Sequence, residues 1–174
     1  VVTRHKSRLC VDGSTMTCSD HDSHAVSSPV AARSSFRTLL CLAALRCLKI
    51  EAIDISQAYI AQHLPNERPI FTSAPLGFSR TGPDGLPMIC RLRRHLYGLP
   101  ASGHALYLSL GDWLHRIGFY KCASDPAMYI YRSHSDELLA VTTVDDVLFA
   151  GSSTALHNAF VSAMRGRFTC THEG

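Results

Sequence analysis

Three aspartates carry the chemistry most directly readable in this chain. Val141-Thr142-Thr143-Val144-Asp145-Asp146-Val147-Leu148-Phe149 sets two adjacent acids between apolar runs, and Ile50-Glu51-Ala52-Ile53-Asp54-Ile55 places another acid near the end of a second run. Burying a carboxylate without a partner is costly, so acids embedded in this way need hydrogen bonds or a cation. A tight hairpin turn accounts for Asp145-Asp146 taken alone, because Asp is a common turn residue. If the strand of Asp54 lies beside that hairpin, three carboxylates converge and repel one another unless divalent ions are bound. Oxygen-only ligands at an open site suit Mg²⁺ or Mn²⁺ rather than Zn²⁺. Two such ions about 3.5–4 Å apart support nucleotidyl transfer, one lowering the pKa of a 3′-hydroxyl and the other neutralising the departing pyrophosphate.

The elements that must position these acids follow from hydrophobic periodicity. A helix capped by Ser34 or Ser35 carries Phe36, Leu39, Leu40, Ala43, Ala44 and Cys47 at helical spacing, with Leu42, Leu45 and Leu48 widening the apolar surface. Such a helix is expected to pack on more than one side, with Cys41 and Cys47 as buried thiols. Ile50 to Ile55 reads as a buried strand central to a sheet, and Ser56 to Gln62 as a helical turn behind it. Strands are expected at Arg8–Val11, Pro69–Thr72 and Met88–Leu92, the last two separated by the turn residues Thr81 to Gly85. A second helix, capped by Ser102, presents Leu106, Leu110, Trp113, Leu114 and Ile117 and ends at Gly118. Strands at Ala127–Arg132, Leu138–Val144 and Val147–Gly151 come next. The last helix is capped by Ser152 or Ser153 and buries Leu156, Ala159, Phe160, Ala163 and Met164. Helix, strand and helix followed by an antiparallel group is an α+β order.

Composition narrows the class without deciding it. Charged residues make up 18% and hydrophobic residues 46%, a balance that gives a folded core rather than disorder. A formal charge of only +3 gives no global bias toward nucleic acid, so local clusters matter more. Arg4, His5, Lys6 and Arg8 form one, and Arg91, Arg93, Arg94 and His95 another; each is either a phosphate contact or a solvated face. Seven cysteines without a Cys-x-x-Cys pair argue against a disulfide framework and for a reducing, intracellular compartment. No apolar run reaches the roughly 18–20 residues that cross a bilayer, so no membrane partner is expected. A first residue of Val rather than Met reads as a piece of a longer reading frame.

The motifs, taken in order, closely resemble the Ty1/copia reverse transcriptase family. Ile53-Asp54-Ile55-Ser56-Gln57-Ala58-Tyr59 is similar to its Val-Asp-Val-x-x-Ala-Phe motif, and Pro75-Leu76-Gly77-Phe78 to its Pro-x-Gly-Phe. Cys90-Arg91-Leu92-Arg93-Arg94-His95-Leu96-Tyr97-Gly98-Leu99 resembles Cys-Arg-Leu-x-x-x-Leu-Tyr-Gly-Leu. Gly118-Phe119 and Ser124-Asp125-Pro126-Ala127-Met128-Tyr129 also fit, and Val144-Asp145-Asp146 resembles the Tyr-Val-Asp-Asp hairpin. Upstream, Lys6-Ser7-Arg8-Leu9 and Ser28-Pro29-Val30 are similar to Lys-Ala-Arg-Leu and Ser-Pro-Val. The match runs across almost the whole chain.

The resemblance implies an RNA-directed DNA polymerase with a right-hand α+β fold, its antiparallel palm sheet flanked by helices. The palm would comprise mainly 49–61 and 101–174 and the fingers mainly 1–48 and 62–100, with no thumb. Asp54, Asp145 and Asp146 would be the catalytic and metal-binding triad for two Mg²⁺ or Mn²⁺ ions. Tyr59 would pack under the sugar of the incoming deoxynucleotide and exclude a 2′-hydroxyl; its alternative is an ordinary core aromatic. Tyr97 and Gly98 would lie near the nucleotide and template, where glycine permits close backbone approach. Lys6 or Arg8 would touch the triphosphate. Partners would be an RNA or DNA primer-template, dNTP and the remainder of a Pol polyprotein (thumb, RNase H and integrase). The setting would be a cytoplasmic virus-like particle or the nucleus.

Two departures from the family are visible. Thr143 stands where the family has Tyr before Val-Asp-Asp, and Pro100-Ala101-Ser102-Gly103-His104-Ala105-Leu106-Tyr107 replaces its Lys-Gln-Ser-Pro-x-x-Trp. They keep open an alternative reading: a truncated or decayed, non-catalytic remnant that at most binds nucleic acid. A further rival is a zinc module on Cys18, His21 and His24, for which no fourth ligand is evident.

Overall fold

Ser35, Leu39 and Ala43 recur every fourth residue and are the buried line of helix α1 (Arg33–Arg46). In the computed structural model of the chain, which describes residues 7–14, 16 and 27–173, that line is the helix's only buried stripe. The wider apolar surface is covered in part: Leu42 and Leu48 pack half-buried against the core, whereas Leu45, like Leu40, is exposed. Cys41 and Cys47 are exposed rather than buried, and Cys47 ends the helix in the left-handed region (φ 52°). Nor does Ser34 or Ser35 cap the helix. The side chain of Asp125, distant in sequence, accepts from the Ala32 amide at 2.9 Å and from the Ser35 hydroxyl, so the cap is tertiary.

The described residues form eight strands. They are β1 (Lys49–Ile55), β2 (Phe71–Ser73), β3 (Ile89–Arg91), β4 (Tyr120–Cys122), β5 (Asp125–Arg132), β6 (Glu137–Thr143), β7 (Asp146–Gly151) and β8 (Cys170–Glu173). Helix α2 (Ala101–Arg116) precedes β4, and α3 (Thr154–Arg167) lies between β7 and β8. Six strands make one sheet in the order β4-β5-β6-β7-β1-β8 with every neighbouring pair antiparallel; β2 and β3 form a separate hairpin. The architecture is α+β, as the sequence predicts.

The period of two along the strands splits the sheet into two faces. Leu138, Ala140, Val147, Phe149, Ile53 and Ile55 turn to one side and meet α2 (Leu106, Leu110, Leu114) and α3 (Phe160, Val161, Met164). Each large side chain fully buried there stabilises the fold by roughly 1.5–3 kcal/mol. Leu139, Val141 and Ala150 turn the other way and pack on Leu39 and Ala43 of α1. Asp54, Asp146 and Thr143 belong to this second face by register, at its far end.

Two expected caps differ in outcome. Ser153 caps α3, accepting from the Leu156 amide at 3.2 Å. Ser102 lies inside α2, where it donates to Leu96 O at 2.8 Å and is buried beside His95. In α3, Ala159 is exposed, and His157 and Val161 take the buried positions instead.

Candidate active site

The Asp145-Asp146 hairpin is as tight as a hairpin can be. Thr143 pairs with Asp146, leaving Val144 and Asp145 as a two-residue loop. Val144 holds φ 54°, a left-handed conformation usually given to Gly and costly for a β-branched residue. Strain of this kind persists only where surrounding structure enforces it, and it gathers at functional sites. The enforcing contact is visible: the Ile55 amide donates to the Asp145 carbonyl at 2.8 Å, extending the β1–β7 ladder around the turn.

That ladder brings the acids together. Asp54 on β1 is the direct partner of Asp146 on β7, so their side chains leave the same face. On its other edge β1 pairs with β8, which sets Thr171 opposite Asp54 and Glu173 opposite Ala52. The electrostatics agree with the register. Asp146 is exposed, yet partial desolvation raises its carboxyl above the ordinary value, and the charges of Asp145, Asp54 and Glu173 add to it.

Asp54 and Asp145 are half-buried and line one cleft of about 580 Å³, shared with Arg8, Gln57, Tyr97 and Thr171. Arg8 lies 5.2 Å from the centre of the Tyr97 ring, and Tyr97 meets Tyr59 edge-on at 4.8 Å. Burial raises the Tyr59 phenol, with the charge of Asp145 and then Tyr97 adding to it. Asp145, Tyr59, Tyr97 and Arg8 thus form a connected group, with Asp54 across the same cleft. Tyr59 also packs half-buried against the main core, in keeping with its reading as a core aromatic.

Gly98 has a reason of its own. It holds φ 91°, and a Cβ there would lie 1.8 Å from the Val11 carbonyl oxygen. The approach it permits is made by the chain itself: Val11 N donates to Tyr97 O at 2.8 Å, fastening residues 7–14 beside the cleft. The strand expected at Arg8–Val11 reduces to a single bridge, Cys10 with Tyr97. Lys6 lies outside the described residues, as do Cys18, His21 and His24 of the zinc reading.

The donor set suits Mg²⁺ or Mn²⁺ in kind: it is all oxygen, and Asp146 shows the like-charge pressure a cation relieves. Even so, among the described residues no three His, Cys, Asp or Glu side chains are gathered as a ready cage. Register and charge unite the three acids; their side chains must turn toward one another to share an ion. Sequence reasoning missed Gln57, which lines the cleft at φ 54°, and Thr171 and Glu173 on β8. Only their closeness to Asp54 along the fold identifies them.

The candidate site is thus an aspartate on a core strand of a six-stranded antiparallel sheet, paired with a strained Asp-Asp hairpin. Residues 1–173 match the family described as reverse transcriptase (RNA-dependent DNA polymerase). The chain is 30% identical to the Retrovirus-related Pol polyprotein from transposon RE2 of Arabidopsis thaliana, over 97% of this chain and 11% of that protein. It is 31% identical to the Retrovirus-related Pol polyprotein from transposon TNT 1-94 of Nicotiana tabacum, over 89% of this chain and 11% of that protein. With that from transposon RE1 of Arabidopsis thaliana the identity is 30%, over 90% and 10%. The chain therefore spans about a tenth of the length of these relatives. It belongs to the reverse transcriptase family, and within it to the copia type.

Proposed function

We propose that this chain is the fingers-and-palm part of an RNA-directed DNA polymerase encoded within a Pol polyprotein. The reaction is template-directed attack of a primer 3′-hydroxyl on the α-phosphate of a deoxynucleoside triphosphate. The observation that carries the reading is the direct pairing of Asp54 with Asp146 beside the strained Val144-Asp145 loop.

Asp54, Asp145 and Asp146 would hold two Mg²⁺ or Mn²⁺ ions, which when bound neutralise charge on the attacking and departing oxygens. The protein's own contribution is positioning and charge rather than a covalent intermediate. Arg8, in the same cleft as Asp54 and Asp145, suits the triphosphate; Lys6 is the other candidate from the resemblance. Tyr59 would sit under the sugar and reject a 2′-hydroxyl, with Tyr97 holding its ring edge-on. The palm would comprise mainly residues 49–61 and 101–174 and the fingers mainly 1–48 and 62–100. Thumb, RNase H and integrase parts would lie elsewhere in the polyprotein. Among the described residues, no helix is long and apolar enough to cross a membrane.

The absence of a ready cage among the described residues favours a second reading, a remnant that binds nucleic acid without extending it. Primer extension on an RNA template, with and without Mg²⁺, separates the two. Mg²⁺-dependent extension that disappears in Asp145→Asn supports the polymerase. Primer-template binding without extension supports the remnant.

A further inference from the structure

Glu51 lies three residues before Asp54 on β1 and points to the opposite, core face, where a carboxylate has no ordinary place. It is 5% exposed and in contact with three cationic or imidazole groups from three elements. Lys49 of β1 pairs with one carboxylate oxygen; His157 Nδ1 of α3, at 2.7 Å, and His172 Nε2 of β8, at 3.1 Å, meet the other. A carboxylate only accepts, so both ring nitrogens donate. His157 is 1% exposed, and its Nε2 has no partner, buried against Gly151, where a Cβ would come within 2.7 Å of it. The anchor on α3 is thus built into the core and needs Gly151 bare.

The arm to β8 is different in kind. Among the described residues β8 is a four-residue edge strand, held to the sheet on one side only, by β1. Its core face offers Cys170 and His172; its other face places Thr171 opposite Asp54 and Glu173 within electrostatic reach of Asp146. Short edge strands open readily, because half their backbone groups have no sheet partner. A displaced β8 would remove one wall of the cleft and alter the field at the acids.

We infer that Glu51 is a positioning residue: through His172 it clamps β8 against β1 and so holds the wall and charge environment of Asp54 and Asp146. The kinetic side of this inference rests on the polymerase reading; the structural side does not.

Glu51→Gln, His172→Gln and the double variant separate the possibilities. Hydrogen exchange is read at the amides of 170–173, with β6 and β7 as internal references. Nucleotide incorporation is read as kcat and KM on the same proteins. Each single variant is expected to speed exchange in β8 by ~10-fold while β6 and β7 keep their protection. Each should lower kcat by ~10-fold with KM for dNTP within ~2-fold, and the double variant should lose no more than the worse single. Unchanged exchange in β8, or losses in the double variant that multiply as if independent, overturn the clamp. If wild type shows no incorporation, the polymerase reading fails and the exchange data still decide the clamp. Should buried Glu51→Gln not fold, His172→Gln alone, at a partly exposed position, decides by exchange in β8.

Discussion

The amide of Ile55 donates to the carbonyl of Asp145 at 2.8 Å, one residue past the last paired position of β1 and β7. This bond does for the site what no side chain does. It ties the strained loop to the strand that carries Asp54, so the acid doublet cannot rotate away without breaking the ladder. The nearness of the three acidic positions is therefore a backbone property, and substituting their side chains should leave it in place.

The first consequence concerns Asp146. Its carboxyl is raised by partial desolvation and by Asp145, Asp54 and Glu173. A carboxylate with a folded pKa above its unfolded one binds more protons when folded, so stability falls as pH rises from the ordinary value of 3.8 through the raised one. The cost is fully present at neutral pH and absent in acid. Asp146→Asn should thus raise Tm at pH 7 in EDTA and flatten that slope. Mg²⁺ should stabilise wild type more than the variant. Thermal melts across pH, with and without the ion, check both; a variant less stable than wild type at pH 7 in EDTA contradicts the argument.

Asp125 predicts a stability effect far from the chemistry. Burial alone would raise its carboxyl, but hydrogen bonds from Ser35, Ala127 and Ala32 bring it below the usual value. It joins the start of α1 to β5, and among the described residues no local side chain caps that start. Asp125→Ala should cost about 2 kcal/mol, since it removes a cap and leaves buried donors without an acceptor. For a domain of this size that is a fall in Tm of roughly 5 °C. Calorimetry should register the loss, and Asp125→Asn should restore part of it.

Glu51 gives the acid limb of the pH profile. Burial pushes its carboxyl up, yet hydrogen bonds from Lys49, His157 and His172 and the charge of His157 hold it down at about 2. A depressed carboxylate contributes stability that is full above its unfolded value of 4.5 and lost as pH falls toward about 2. Glu51→Gln should remove that acid-sensitive contribution, so wild type and variant should converge in stability as pH drops from 4.5 toward 2. Chemical denaturation at stepped pH measures it; a constant gap throughout that interval would count against the clamp carrying charge.

The parts of this site legible in sequence were those with a local signature. Acids interrupting apolar runs located Asp54 and the Asp145-Asp146 turn, and the apolar runs themselves located β1, β5, β6 and β7. What escaped depends on partners far along the chain. β8 is four residues of mixed polarity, a strand only because β1 offers it an edge, and β4 is shorter still. The α1 cap comes from 93 residues away and the Glu51 partners from 106 and 121 residues away, beyond any helical or strand period. The apolar breadth of α1 misled for a related reason: periodicity proposes a face, but only a second packed layer buries it, and among the described residues none covers Leu45. Gln57 and Val144 in left-handed conformations carry no compositional mark, because glycine is the residue that normally signals one.

Gly98 offers the sharpest test of how the cleft is assembled. Residues 7–14 lie against Tyr97 and Gly98 through the Val11 N to Tyr97 O bond and the Cys10–Tyr97 bridge. The two strands of chain approach so closely that a methyl at Gly98 would overlap the Val11 carbonyl, and a Cβ at Gly13 would lie 2.2 Å from the Gly98 oxygen. With φ at 91°, any L side chain is strained there even without the clash. Gly98→Ala should therefore cost at least about 2 kcal/mol and release the segment that carries Arg8. Because Arg8 is the cation lining the cleft among the described residues, the proposed polymerase function predicts weaker dNTP binding, seen as a raised KM beyond what the fall in folded fraction explains. Limited proteolysis near residue 11 should quicken in the variant, while the β6–β7 hairpin stays protected. If cleavage there is unchanged, the segment is held by something other than the Gly98 contact.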